Sequence, residues 1–173
     1  MSGSPAVVIV GPPGSGKSTV GRAVAERLGL GFRDTDADVE AASGKSIPDI
    51  FVQDGEEAFR AREREAVADA VAEHPGVLSL GGGAVIDPAT REVLRSCTVV
   101  YLRVGLAEGL KRVGMAASRP VLALNPRAQY RSLLERRSPL YEEVASVTVD
   151  TDGRTLDEVV AVVVAHLAEG EDA

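Results

Sequence analysis

Val7–Thr19 reads V-V-I-V-G-P-P-G-S-G-K-S-T, and the fold follows from that stretch. The apolar run Ala6–Val10 has the length and the branched residues of a buried strand. It ends in a glycine-rich turn that passes directly into a helical pattern. Gly11–Ser18 therefore matches the phosphate-binding loop G-x-x-x-x-G-K-[ST] in the context that gives the pattern meaning, a strand before it and a helix after it. Glycines at 11, 14 and 16 give the backbone freedom to turn successive N–H groups onto one phosphate chain. The helix then starts on the anion, with its positive dipole end facing the charge. The residues expected to hold the nucleotide are Gly14, Ser15, Gly16, Lys17, Ser18 and Thr19, with Lys17 reaching the β- and γ-phosphates and the Ser18 hydroxyl placed for Mg2+.

Outward from the loop, Val20, Val24 and Leu28 share one helical face and Gly29 ends the helix. Leu30–Arg33 is a short second strand that delivers Asp34-Thr35-Asp36 at its carboxyl end, where ligands collect in an open α/β sheet. The same aspartates could serve as a turn and helix cap. Asp38–Gly55 reads as two short helices broken at Ser43-Gly44, with Ser46 capping Ile47–Gln53. Gly55 opens a longer helix through about Glu73, whose apolar stripe of Phe59, Ala66, Val67, Ala70 and Val71 contains Glu63, three residues after Arg60. A carboxylate at that spacing can orient the guanidinium, or form an ordinary surface pair.

Val77–Leu80 is a third strand running into Gly81-Gly82-Gly83, a place for close approach of backbone to ligand or a plain turn. Pro88–Arg95 is a helix, Thr98–Arg103 a fourth strand, and Leu106–Val113 a short helix carrying Lys111 and Arg112. Gly114–Pro126 breaks the periodicity around one cation, Arg119, and is read as a lid bringing charge to the site. Arg127–Arg137 is a helix that Pro139 stops, Val144–Asp150 a fifth strand, and Thr155 with Glu158 a capping box for a last helix through Leu167. His74 and His166 lie near helix ends and are read as solvated or capping. Strands alternate with helices throughout, without repeats or linkers, so the expected fold is α/β. It is one domain over residues 1–173, a three-layer sandwich with a five-stranded parallel sheet between helices, with an acceptor-binding segment at about 36–63 and the lid at about 114–126.

Composition narrows the function. The 173 residues suffice for one sizeable core, and 45% hydrophobic with 26% charged residues is ordinary for a globular protein. A net charge of −7 disfavours nucleic acid as a partner. No apolar run approaches a membrane span and Met1–Pro5 lacks the regions of a secretory signal, so the cytoplasm is the expected location. Cations are 16 Arg against three Lys, and arginine holds planar anions through paired hydrogen bonds. The lone Cys97 is read as a small apolar residue. A base-reading N-K-x-D is absent, and D-x-x-G occurs only at Asp150–Gly153, too late in the chain for a switch GTPase. Each long helix has one apolar face for the sheet to cover, so a monomer is expected.

In this order the motifs G-P-P-G-S-G-K-S (11–18), D-T-D (34–36), F-R-x-x-E (59–63), G-G-G (81–83), R-P (119–120) and R-x-P-L-Y (137–141) are found together. With them the chain, from about Val7 to about Leu167, resembles the shikimate kinases, of the nucleoside-monophosphate-kinase-like P-loop fold. The resemblance implies transfer of the γ-phosphoryl of ATP to the 3-hydroxyl of shikimate, a step towards aromatic amino acids. By motif position it implies that Asp36 meets the acceptor hydroxyls and takes the proton, and that Asp34 holds Mg2+ through water beside Ser18. It implies that Arg60 and Arg137 grip the shikimate carboxylate next to Phe59, with Glu63 orienting Arg60, and that the Gly82 N–H meets the acceptor. Arg119 is implied to reach the phosphates, and Arg112 and Arg154 the adenine. Another small-molecule kinase of this fold, for gluconate or a nucleoside monophosphate, and a nucleotide-binding regulator without catalysis are the alternatives.

Overall fold

The computed structural model describes residues 4–115 and 125–171. In chain order the elements are β1 (Val7–Val10), α1 (Lys17–Leu28), β2 (Phe32–Asp34), α2 (Thr35–Ser43), α3 (Ile47–Gln53), α4 (Glu56–Glu73) and β3 (Val77–Ser79). After a 3-10 turn at Ala84–Ile86 come α5 (Pro88–Leu94), β4 (Val99–Arg103), α6 (Leu106–Met115), α7 (Pro126–Val144), β5 (Val147–Asp150) and α8 (Leu156–Glu171). The five strands form one parallel sheet in the order β2-β3-β1-β4-β5.

Strand β1 is the centre, and its alternation divides the core. Side chains along a strand point to opposite faces in turn. Val7 and Ile9 join the cluster that packs α1 and α8 on one face, while Val8 and Val10 join the cluster under α4, α5 and α7 on the other. A strand covered on both faces must be apolar throughout, which is why Val7–Val10 shows no polar alternation. A third, small cluster of Val39, Ile50 and Phe59 ties α2 and α3 to α4 beside the main layers. All five strands therefore run their carboxyl ends to one edge, and the loops that leave that edge build the site.

The ends of several elements differ from the sequence reading. Strand β2 is Phe32–Asp34, so Asp34 is its last residue, and β5 begins only at Val147. Proline does not stop α7: Pro139 lies inside a helix that continues to Val144. The proline removes one backbone bond, to the Glu135 carbonyl. Its ring is exposed. Tyr141 beyond it is buried, with Leu140 and Val144 packed on the same cluster, and that apolar burial outweighs the lost bond. Leu28, expected on the buried face of α1, is 36% exposed at its end. The expected caps are present: Gly29 is left-handed at φ 67°, and Thr155 Oγ1 accepts from the Glu158 N–H and donates to its carboxylate. His74 closes α4 and its Nε2 lies 3.1 Å from the Val77 carbonyl. Cys97 is half-buried beside the second cluster and donates to the Val93 carbonyl. Among the described residues no helix is long and apolar enough to cross a membrane.

Candidate active site

The phosphate end is a backbone structure. Gly14 and Gly16 have φ of 85° and 89°, in the region that disfavours any side chain, and the loop they shape turns β1 into α1. Helix α1 begins with no side-chain cap and no acidic residue in its first turn, so its N–H groups are left to an external anion. Lys17 spans the loop and donates from Nζ to the Pro12 carbonyl at 3.1 Å. Ser18 lies in the same turn, with Thr19 exposed beside it. The loop is braced from outside. The Gly14 position is flush against the Gly109 carbonyl of α6, Arg112 donates to the Gly14 carbonyl at 3.1 Å, and Tyr130 of α7 donates to the Pro13 carbonyl at 2.6 Å.

Ser18 Oγ donates to Asp34 Oδ2 at 3.0 Å, joining the loop to the end of β2. Asp34 Oδ1 also accepts from the Asp36 N–H at 2.9 Å and so caps α2, which makes the capping and the ligand readings of this aspartate compatible. A hydroxyl and a carboxylate are hard oxygen donors. Among the described residues no group of three or more His, Cys, Asp or Glu could hold a metal. That donor set fits Mg2+, which keeps several waters and takes phosphate oxygens rather than a protein cage.

The acceptor end is assembled from separate elements around the glycine turn that follows β3. A methyl group on Gly82 would meet Pro13 Cδ at 3.2 Å, so this turn lies against the phosphate loop. A methyl group on Gly81 would collide with Asp36 Oδ1 and lie 3.0 Å from Glu63 Oε2; one on Gly83 would lie 2.5 Å from the Arg60 guanidinium. Only glycines let those three side chains close on the turn. Arg60 donates to Glu63 at 2.8 Å and also lies over the Phe59 ring, 5.2 Å from its centroid. Phe59 packs on Phe51 with ring centroids 4.8 Å apart.

Glu63 has a side chain only 4% exposed, so its pair with Arg60 is not the surface bridge that spacing alone allowed. Burial pushes its carboxyl above the usual range; Arg60, and more weakly Arg137, pull the other way, while Asp36 adds to the rise. Glu63 therefore feels the charge of all three. Arg137, half-buried on α7, also lowers the pKa of the Tyr141 phenol against the rise that burial causes.

Arg112 is fixed between the loop and the β5–α8 turn, donating also to Thr151 Oγ1 at 3.4 Å and to Glu108 at 3.1 Å. Arg154 is exposed on that same turn, its N–H bonded to the Thr151 carbonyl. The structure thus gathers Asp36, Arg60, Glu63, Gly82 and Arg137 at one end and Lys17, Ser18, Asp34 and Arg112 at the other. Arg119 and positions 116–124 of the expected lid lie outside the described residues. The sequence reading missed the two phenols. Tyr130 binds Pro13 and Tyr141 donates to the Gly82 carbonyl at 2.5 Å, though only the motif ending in Tyr141 offered a signal.

The family model for shikimate kinase matches residues 13–168. Over 156 residues, 90% of this chain and 91% of the relative, the chain is 56% identical to the shikimate kinase of Streptomyces coelicolor. It is 51% identical to that of Thermobifida fusca over 172 residues, 99% of this chain and all of the relative. A solved shikimate kinase from Acinetobacter baumannii in complex with shikimate superposes with a TM-score of 0.91 at 36% identity, covering 98% of this chain and 95% of that one. A phosphate loop joined to a carboxylate-and-arginine cleft, on a sheet matched over its whole length, has one reading: the chain belongs to the shikimate kinase family.

Proposed function

We propose how this chain carries out its family's reaction, transfer of the γ-phosphoryl of ATP to the 3-hydroxyl of shikimate. The observation that carries the assignment of residues is the glycine turn at 81–83, packed at once on the phosphate loop, on Asp36 and Glu63, and on Arg60. ATP lies with its phosphates in the Gly11–Ser18 loop, held by backbone N–H groups and Lys17. Arg112 and Arg154, which flank the Thr151–Gly153 turn, border the base. Shikimate lies across the glycine turn. Its carboxylate meets Arg60 and Arg137, whose planar guanidinium groups bind a carboxylate through paired hydrogen bonds. Glu63 holds Arg60 in that direction, Phe59 lines the pocket, and the Gly82 N–H meets the acceptor.

With the acid end fixed, the 3-hydroxyl is presented to Asp36. As that oxygen bonds to the γ-phosphorus, its proton passes to Asp36 and the bond to the β–γ bridging oxygen breaks, releasing ADP. Such a transfer asks the protein mainly for alignment and for neutralisation of charge on the moving group. Ser18 and Asp34 would hold Mg2+, which would screen the phosphate charge. Lys17 neutralises the β- and γ-oxygens, and Arg119 adds its charge there.

The test is ADP release from ATP and Mg2+ with shikimate, gluconate, AMP, CMP or no acceptor. Stimulation by shikimate alone is expected. Stimulation by another acceptor instead would void the carboxylate clamp, and no stimulation by any would favour a regulator.

A further inference from the structure

Helix α7 reaches both ends of the cleft, and it does so through two phenols. Tyr130 and Tyr141 are about three helical turns apart at roughly 3.6 residues per turn, so they project from the same face. Both are buried, at 0% and 1% exposed. Each donates its hydroxyl to a main-chain carbonyl in a different ligand loop, Tyr130 to Pro13 at 2.6 Å and Tyr141 to Gly82 at 2.5 Å.

Both loops need such a brace. Their glycines permit close approach of backbone to substrate and surrender the side chains that would otherwise hold the peptides in place. In a trans peptide the carbonyl and the following N–H point in opposite directions. Drawing the Pro13 carbonyl onto α7 therefore turns the Gly14 N–H away from α7. Drawing the Gly82 carbonyl onto α7 does the same for the Gly83 N–H and anchors Gly82 itself. The fit around the phenols is close. The Tyr130 hydroxyl fills the place a side chain at Gly109 of α6 would take, and the Tyr141 ring packs on Tyr101 with ring centroids 5.1 Å apart. Burial pushes the Tyr141 phenol well above its usual range, against the pull of Arg137, so it remains a donor at neutral pH.

We propose that Tyr130 and Tyr141 are positioning residues, one for each substrate: Tyr130 sets the Pro13–Gly14 peptide for the phosphates of ATP, and Tyr141 sets the Gly82 turn for the carboxylic acceptor. The Tyr141 half rests on the acceptor site described under the proposed function.

Tyr130→Phe and Tyr141→Phe remove one oxygen each and keep the ring. With a partly buried carbonyl left without its phenol donor, Tyr141→Phe is expected to raise KM for shikimate about tenfold and leave KM for ATP within about twofold; Tyr130→Phe is expected to do the reverse. A loss of thermal stability with both KM values unchanged, or an equal rise of both KM values in either variant, overturns the proposal. Arg60→Ala run beside them separates two failures. If it leaves KM for shikimate unchanged, the acceptor site itself is misplaced. If it raises KM and Tyr141→Phe does not, the positioning role alone falls.

Should a phenylalanine variant not fold, 3-fluorotyrosine in the otherwise unaltered protein gives three fluorine signals, since the chain has three tyrosines. Tyr101→Phe assigns one of them, and the response to ADP and to shikimate separates the other two if each ligand moves a different one. That pattern supports the proposal. Both ligands shifting the same signal overturns it.

Discussion

The phosphate end of the cleft is made by Gly11–Ser18, one unbroken run of backbone, whereas the acceptor end is made by side chains from α2, α4 and α7 meeting at the turn after β3. The difference reflects the two ligands. A polyphosphate is a row of like oxygens, and a row of N–H groups at a helix start can match it. A hydroxylated carboxylic acid has two unlike ends that must be held a fixed distance apart, so its cations and its base come from elements that the tertiary fold spaces. The first kind of site depends above all on the course of one backbone segment; the second depends also on where the tertiary fold sets each side chain.

Four variants sharpen or break that contrast. Asp36→Ala should cut kcat by about 10² to 10⁴, the usual contribution of a general base, with ATP affinity measured by calorimetry unchanged. A near-normal kcat removes Asp36 from the chemistry. Arg60→Ala should raise KM for shikimate by about ten- to a hundredfold through lost charge-assisted bonds, with KM for ATP little altered. Equal effects on both would make Arg60 a structural residue and blur the distinction. Gly14→Ala is the counterpart at the phosphate end. Its φ of 85° and the Gly109 carbonyl, 2.8 Å from an added methyl, leave that methyl no room. Strain of about 1–3 kcal/mol predicts a rise of about tenfold in KM for ATP and little change for shikimate, read from the same kinetics.

The smallest effect concerns Glu63. Burial raises its folded carboxyl above the ordinary 4.5, so the native state holds that proton more tightly than the unfolded chain. Its contribution to stability is then complete below the unfolded value and is lost as pH rises through the folded one. Melting curves of the natural protein and Glu63→Gln across that window should show the natural protein's advantage shrinking as pH rises. An advantage that grows would mean that pairing with Arg60 outweighs burial.

Legibility in the sequence follows the same division. Gly11–Ser18 was readable because its function is local: the strand, the glycines and the helix start are consecutive. The alternation of strands and helices likewise gave the parallel sheet, since each element declares its period within a few residues. At the acceptor end, Glu63 within an apolar stripe was visible as an anomaly, but its approach to Asp36 depends on α2 and α4 packing around the turn at Gly81, which no short window contains. The roles of Arg60 and Arg137 came from resemblance. Pro139 misled because the rule against interior proline is local, while the burial of Tyr141 that overrides it is tertiary. Tyr130 carries no sequence signal and Tyr141 only the end of a motif, and only the fold reveals what their hydroxyls bind.

The strand order has a consequence for how the molecule opens. The strand that leads into the phosphate loop is flanked by neighbours on both sides, so its amides exchange with solvent only when the sheet as a whole gives way. The strand that ends in Asp34 is three residues long, half-buried, and lies on the sheet edge. Its amides are the ones that brief local fluctuations uncover. The protein thus keeps its nucleotide cradle on a central strand and places Asp34, with Asp36 just beyond it in α2, at the end of a short edge strand, where ordering by a bound acceptor is felt.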